Sequence, residues 1–215
     1  PEKFLAITRL KTAEKIIVSM ANNHAADYGE DGMRETSLLL ESHGFVVIGL
    51  KENTAVELAP SVWLHAASLW SNQATCAVAS LADVKVVPDA FNILYPHWGY
   101  ELELHPRPEQ VLQAENLLQQ WDMIIGHHAH VPQPITGYTV SGKEKLVAYS
   151  LGDFACQFHR SHYRHGCVLK ADLGKTRNGE PVITRTQWYF SFADFSGKNS
   201  LLISLHEHCP YFRQD

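Results

Sequence analysis

The 215 residues, 45% of them hydrophobic, are enough for a substantial buried core. Charged residues make up 19% and sum to a formal net charge of -5, which excludes a polycationic nucleic-acid binder and a basic helix lying on a membrane. No apolar run reaches the ~18 residues of a membrane-spanning helix.

Taken in chain order, Lys15 to Met20 predicts a short buried strand that ends in the polar cluster Ala21-Asn22-Asn23-His24. Asp31 to Gly44 predicts a helix with Met33, Leu38, Leu39 and Leu40 as its apolar positions and Gly44 as its stop. Phe45 to Ile48 predicts a second buried strand, and the resulting β-loop-α-β unit favours a parallel sheet flanked by helices. Ser61 to Trp70 fits a helix or a strand, and Cys76 to Leu81 is a further short apolar run. Phe91 to Tyr95 predicts a strand opening into Pro96-His97-Trp98-Gly99. Pro108 to Gln120 predicts a helix with proline in its first turn, and Trp121 to Ile125 a strand opening into Gly126-His127-His128-Ala129-His130.

From Ile135 the pattern turns antiparallel. Ile135 to Val140 and Leu146 to Tyr149 flank Ser141 to Lys145 as one hairpin, and Val168 to Leu173 with Val182 to Phe190 form a second. With no repeats or linker-like tracts, residues 1–215 read as one α+β domain, α/β at the front and antiparallel at the back. Cys76, Cys156, Cys167 and Cys209 form no C-x-x-C pair, and free buried thiols are expected rather than two disulfides. The sequence opens at Pro1 and not at Met, and the expectation is a partial chain whose leader or anchor, if it has one, lies upstream.

Three clusters share one design: Asn22-Asn23-His24, His97-Trp98-Gly99 and Gly126 to His130 each follow an apolar strand. Strand ends gather on one edge of an open α/β sheet, so these loops are expected to converge. Imidazole and amide oxygen suit zinc, manganese or iron(II). His128 and His130, one residue apart, can both serve a two-metal centre, in which ions ~3.5–4 Å apart activate a water and neutralise phosphoryl charge. His24, beside Asn23, is then placed to protonate a leaving oxygen. Alone, His97 reads as an ordinary core or loop histidine and Asn22-Asn23 as a turn, but three histidines within four residues rarely serve packing. His159, His162 and His165 with Arg160 and Arg164 form a basic segment, read as a solvated loop in preference to an anion site. Trp63, Trp70, Tyr189 and Phe190 are assigned to packing.

Four segments carry a resemblance. Ala21-Asn-Asn-His-Ala-Ala-Asp-Tyr-Gly29 followed by Gly32, His97-Trp-Gly-Tyr-Glu101, Ile125-Gly-His-His-Ala-His-Val-Pro-Gln-Pro134 and Tyr149-Ser-Leu-Gly-Asp-Phe154 are similar, in order, to motifs of the CapA-type bacterial capsule-synthesis (poly-gamma-glutamate) family. That family belongs to the calcineurin-like metallophosphoesterase superfamily, so the resemblance implies a four-layer α/β sandwich whose N-terminal strands are missing from the chain. It implies Asn23, His97, His128 and His130 as ligands of two divalent ions (manganese, zinc or iron) and His24 as leaving-group acid. His127 enters as a ligand if the alignment starts from Gly126. Asn22, Glu101 and Asp153 are the candidates for substrate contact.

Two departures stand out. The family's early carboxylate ligands have no counterpart in Pro1 to Met20, where Glu2 and Glu14 lack the matching context: either they lie upstream or the site is degenerate. Asp153 replaces the family's asparagine and either adds a charge near the metals or caps a turn, the turn being preferred. The implied function is capsule or poly-gamma-glutamate biosynthesis through hydrolysis of a phosphoester or acyl-phosphate, with an anionic polymer or phosphorylated substrate and other capsule-synthesis proteins at the membrane as partners. The alternatives are a general metal-dependent phosphodiesterase or nucleotidase, and a non-catalytic binding subunit. The resemblance implies a place in the cell envelope or at the extracellular face of the membrane.

Overall fold

A computed structural model describes residues 16–70, 77–154, 165–197 and 200–206, with side chains up to residue 192. Strands β1 (Ile17–Ser19) and β2 (Val46–Ile48) pair in parallel, with Ile17 opposite Val46. Between them runs α1 (Gly29–Ser42), whose first turn carries Glu30 and Asp31 at the positive end of the helix dipole. Helical periodicity buries Met33, Ser37 and Leu40, four and three residues apart, and leaves Leu38 and Leu39 exposed. Of the four apolar positions expected on this helix, two are therefore core. The chain leaves α1 through Gly44, in the left-handed region at φ 86.

The largest sheet has six strands in the order β3-β4-β5-β6-β8-β7. Its members are β3 (Ala55–Ala59), β4 (Val62–Ser68), β5 (Phe91–His97), β6 (Met123–Ile125), β7 (Ile135–Val140) and β8 (Lys143–Ala148). The segment readable as helix or strand is thus β4, parallel to β5 over its whole length. Strands β4, β5, β6 and β8 are mutually parallel, and β3 and β7 close the edges antiparallel. The first expected hairpin is β7–β8, turned by Ser141 and Gly142 alone, both at positive φ (52 and 74), and not by the five residues the sequence suggested. Its β8 strand continues the parallel sheet, so the antiparallel part of the chain is not separate from the α/β part. Of the apolar run Cys76 to Leu81, the described part forms no strand; Val78 makes a single bridge to Leu50.

Register and pleat set the two faces of this sheet. Ile93, Met123 and Leu146 lie in one row, Leu94, Ile124 and Val147 in the next, and successive rows point to opposite faces. The Leu94 row packs on α2 (Pro108–Leu117) through Ala114 and Leu118, with Trp98, Trp121 and Tyr149. The Ile93 row packs on Leu169, Ala171, Leu173 and Ile183 of a three-stranded antiparallel sheet, β9 (His165–Lys175), β10 (Pro181–Gly197) and β11 (Ser200–His206). The second expected hairpin is real but longer than foreseen, and β11 was not foreseen. Each fully buried aliphatic in these rows contributes ~1.5–3 kcal/mol. Lys145, buried on β8, closes the end of α2 by donating from Nζ to the carbonyls of Leu118 (2.7 Å) and Trp121 (2.9 Å).

The architecture is mixed α/β, dominated by a mixed sheet with two helices among the described residues, consistent with the calcineurin-like expectation though sparser in helix. None of these helices is long and apolar enough to cross a membrane. Cys167 is a buried free thiol, pushed up to about 11 by burial; Cys76, Cys156 and Cys209 lie outside the described residues, as do Glu2, Glu14 and the basic segment before His165.

Candidate metal centre

The loops after β5 and β6 are tied together at their strand ends, and the loop after β1, held to the end of β2, reaches them through the contact of Asn23 with His97. The backbone NH of Met20 donates to Ile48 O (2.8 Å), that of His127 to Pro96 O (3.1 Å), and that of Trp98 to His127 O (3.2 Å), so β5 and the histidine loop run on as a parallel bridge. Gly126 starts that loop in a slot where any Cβ would collide with Tyr149 O and the Trp98 indole nitrogen. Trp98, buried to 1% exposure, donates from Nε1 to Tyr149 O at 2.8 Å and anchors the other side. The loop is strained where it carries its ligand candidates: His128 has φ 100 and His130 φ 61. Left-handed backbone at two non-glycine residues costs on the order of 1–3 kcal/mol each and clusters at functional sites.

Asn23 Oδ1 lies 3.0 Å from His97 Nε2, across 74 residues of sequence. His97 Nδ1 and His127 Nδ1 share a hydrogen bond of 3.0 Å, and the rings of His97 and His128 are 4.2 Å apart. His128 and His130 follow at 6.1 Å between centroids. His127 stacks on Tyr95 at 4.4 Å, beneath the others. Glu101, His128 and His130 each offer one ligand atom, all within 4.8 Å of one another. His130 Nδ1 lies 3.0 and 3.1 Å from the two oxygens of Asp153. Asp153 thus places its carboxylate at the site, the other of the two readings made from the sequence, and not the preferred turn cap.

His24 stands at the mouth, its Nδ1 2.8 Å from Asp27 Oδ2, both side chains exposed. Asn22 is engaged inside its own loop, accepting from the His24 backbone NH at 2.9 Å and donating to Met20 O at 3.4 Å. Trp70, assigned to packing, instead borders the site: it donates from Nε1 to Gly99 O at 2.7 Å, meets Tyr100 edge-on at 5.3 Å, and lies 6.0 Å from His128. Beyond it opens a cleft of about 890 Å³ that Tyr100, Arg107, Gln110 and Lys85 also line. Asp27 stood inside a quoted motif without a role, and a lone tryptophan after an apolar run gave no signal.

The electrostatics keep most of these rings neutral. Burial, then the neighbouring imidazoles, push His97 down to about 2. Burial and the same crowding push His127 down to about 3, and burial lowers His128. His130 is raised, first by its hydrogen bond to Asp153. Neutral imidazoles facing an amide oxygen are Lewis bases without protons to lose, the form in which histidine binds metal. Among the described residues, His127 Nε2 and His128 Nδ1 are buried with no hydrogen-bond partner. An orphaned nitrogen on His128, whose ring offers a ligand atom within 4.8 Å of Glu101 and His130, fits a divalent cation better than it fits packing. The Asn23–His97 distance fits as well, since two ligand atoms bonded at ~2.1 Å to one ion at right angles lie ~3 Å apart.

Residues 4–66 and 62–157 match the family described as Bacterial capsule synthesis protein PGA_cap. The PGA biosynthesis protein CapA of Bacillus subtilis is 25% identical over 199 residues, covering 81% of this chain and 51% of the relative. The capsule biosynthesis protein CapA of Bacillus anthracis is 24% identical over 175 residues, 69% of this chain and 42% of the relative. A probable polyglutamine synthesis accessory protein of Mycobacterium tuberculosis is 25% identical over 189 residues, 71% and 47%. The chain spans about half the length of the curated relatives it matches.

Proposed function

The chain belongs to the bacterial capsule synthesis protein family, and on that premise we propose that it is a metal-dependent phosphoesterase serving the synthesis of an anionic polymer of the poly-gamma-glutamate kind. The observation that carries the reading is the Asn23–His97 pair, 3.0 Å apart between ligand atoms and continued by His128 and His130. Asn23, His97, His128 and His130 would hold divalent ions, zinc, manganese or iron(II) by the chemistry of the donor set. Such ions, when bound, supply Lewis acidity toward a phosphoryl or acyl-phosphate oxygen and make water nucleophilic near neutral pH. The rest falls to side chains. His24, its ring oriented by Asp27 through Nδ1, carries at Nε2 the proton that the leaving oxygen takes. His127 supports His97 from below through their shared hydrogen bond and keeps the cluster dry. Relatives named as biosynthesis and accessory proteins of capsule or polyglutamine synthesis support a partner role beside other synthesis proteins.

The test is hydrolysis of bis(p-nitrophenyl) phosphate by chelator-stripped full-length protein resupplied with manganese. Asn23→Ala and His97→Ala should each lower kcat/KM by ~100-fold or more, the scale expected when a ligand and not only its outer support is removed. Equal trace rates in wild type and both variants would overturn the reading. Profiling nucleotides against acyl-phosphates then separates a general nucleotidase from a capsule enzyme.

A further inference from the structure

We infer that Glu101 is a metal ligand, completing with His128 and His130 a two-histidine, one-carboxylate site that holds one divalent ion without help from any carboxylate outside residues 101–153. The inference rests on the metal-centre reading above and adds a residue that sequence reasoning placed on the substrate.

The loop carrying Glu101 is locked to the histidine loop. Leu102, two residues before Leu104 and at φ 61, donates its backbone NH to Ala129 O at 2.8 Å, between the two histidines concerned. That bond brings Glu101 Oε1 to 4.0 Å from His130 Nε2, and one atom from each of Glu101, His128 and His130 into a triangle with no edge above 4.8 Å. The neighbouring cation does not compete for the carboxylate: Arg107 is spent on Glu103, at 2.6 to 3.1 Å through three contacts, and lies over the Tyr100 ring at 3.5 Å.

The histidines are prepared for a ligand in that triangle. Asp153 holds His130 Nδ1, which fixes the tautomer and turns Nε2 toward Glu101, the carboxylate–histidine arrangement that supports metal-binding imidazoles. His128 keeps a buried Nδ1 with no hydrogen-bond partner among the described residues. Both residues sit at positive φ, so the backbone is held in a costly shape that aims the two rings at one place. Bonds of ~2.0–2.2 Å put ligand atoms ~3–3.5 Å apart. Closing from 4.8 Å needs only a rotamer adjustment, and Glu101, half-exposed at its side chain, has the room for it. Two imidazoles and one carboxylate select zinc, iron(II) or manganese, with positions left over for water or substrate.

The experiment is titration of chelator-stripped protein with cobalt(II), read by its visible d–d bands and by bound cobalt per chain. Wild type should bind at least one ion tightly with bands of a low-symmetry site. Glu101→Gln should weaken that ion by ~100-fold or more, above the ~10–100-fold of outer-support mutations. Glu101→Asp, which keeps the charge on a shorter stem, should bind more tightly than Glu101→Gln and show shifted bands. If Glu101→Gln binds cobalt with wild-type affinity and an unchanged spectrum, the role of Glu101 is overturned while the metal centre stands. If wild type binds no cobalt, the metal-centre reading itself falls, and the role of Glu101 with it. A thermal melt of each variant guards against misfolding, and Glu101→Asp carries the test through its spectrum should Glu101→Gln fail to fold.

Discussion

His130 meets Asp153 with both carboxylate oxygens near one ring nitrogen, at 3.0 and 3.1 Å, across 23 residues of sequence. The contact raises the pKa of His130 above its ordinary value, so in metal-free protein it favours the imidazolium. A raised histidine contributes stability that is full below the unfolded-state value of ~6.5 and fades as pH climbs through the folded value. Asp153→Asn should therefore cost more stability at pH 6 than at pH 9, measured by urea unfolding in chelator. With metal supplied, the same variant should bind cobalt about 10-fold more weakly, because the ring loses the partner that orients it. An equal stability loss at both pH values would show that the pair is not a titrating one.

His97 and His127 work in the opposite direction. Held down to about 2 and about 3, chiefly by burial, they stay neutral in the folded chain while the unfolded chain protonates at ~6.5. The unfolded state then binds more protons, so stability of the metal-free protein should fall continuously as pH drops from ~6.5 toward those folded values. His127→Phe keeps a ring for the stack on Tyr95 and removes one of the two buried bases. It should flatten the pH slope between pH 6.5 and 4.5 relative to wild type, read by urea midpoints at constant m. An unchanged slope would mean that His127 takes up its proton as readily folded as unfolded.

Gly126 has no alternative residue. Its Cα faces Tyr149 O and the Trp98 indole so closely that even a methyl overlaps both. Both neighbours are buried and hydrogen-bonded to each other, so neither can retreat cheaply. Gly126→Ala should destabilise by about 3 kcal/mol, the upper part of the overpacking range, lowering Tm by roughly 6–12 °C for a chain of this size. A melt within 2 °C of wild type would show that the slot is looser than its geometry.

Strand-then-polar-loop was readable because the code for it is local: the apolar runs leading to Asn22, His97 and Gly126 each contain a strand that ends within three residues of that position. The parallel β1–β2 pairing followed from the helix between them. Ser61 to Trp70 was ambiguous because a strand buried on both faces shows no period, and only its register with β5 settles it. Strand β3, Ala55–Ala59, is an edge strand exposed over most of its length, with no apolar pattern to announce it. In the site, the histidines could be named but their partners could not. Asp153 acts on a ring 23 residues away, and Trp70 reaches Gly99 across 29, distances over which one sequence carries no pairing signal. Asp27 was within reach, three residues from His24, but an i,i+3 carboxylate beside a histidine on an exposed loop is too common to single out.

That last pair makes the sharpest division between binding and chemistry. His24 and Asp27 are exposed at the mouth, and the ring contact between them uses Nδ1, leaving Nε2 as the atom that can deliver a proton. A group that protonates the leaving oxygen matters in proportion to how poor that leaving group is. His24→Asn should thus lower kcat on an alkyl phosphodiester by ~10²–10⁴-fold and on a nitrophenyl ester far less, since nitrophenolate leaves without a proton. Bound cobalt per chain should be unchanged, because His24 is not a ligand in this reading. Asp27→Asn should show the same leaving-group pattern in weaker form, having lost only the orienting carboxylate. If His24→Asn slows both esters equally and also sheds metal, His24 belongs to the metal centre, and the proton for the leaving oxygen comes from another group.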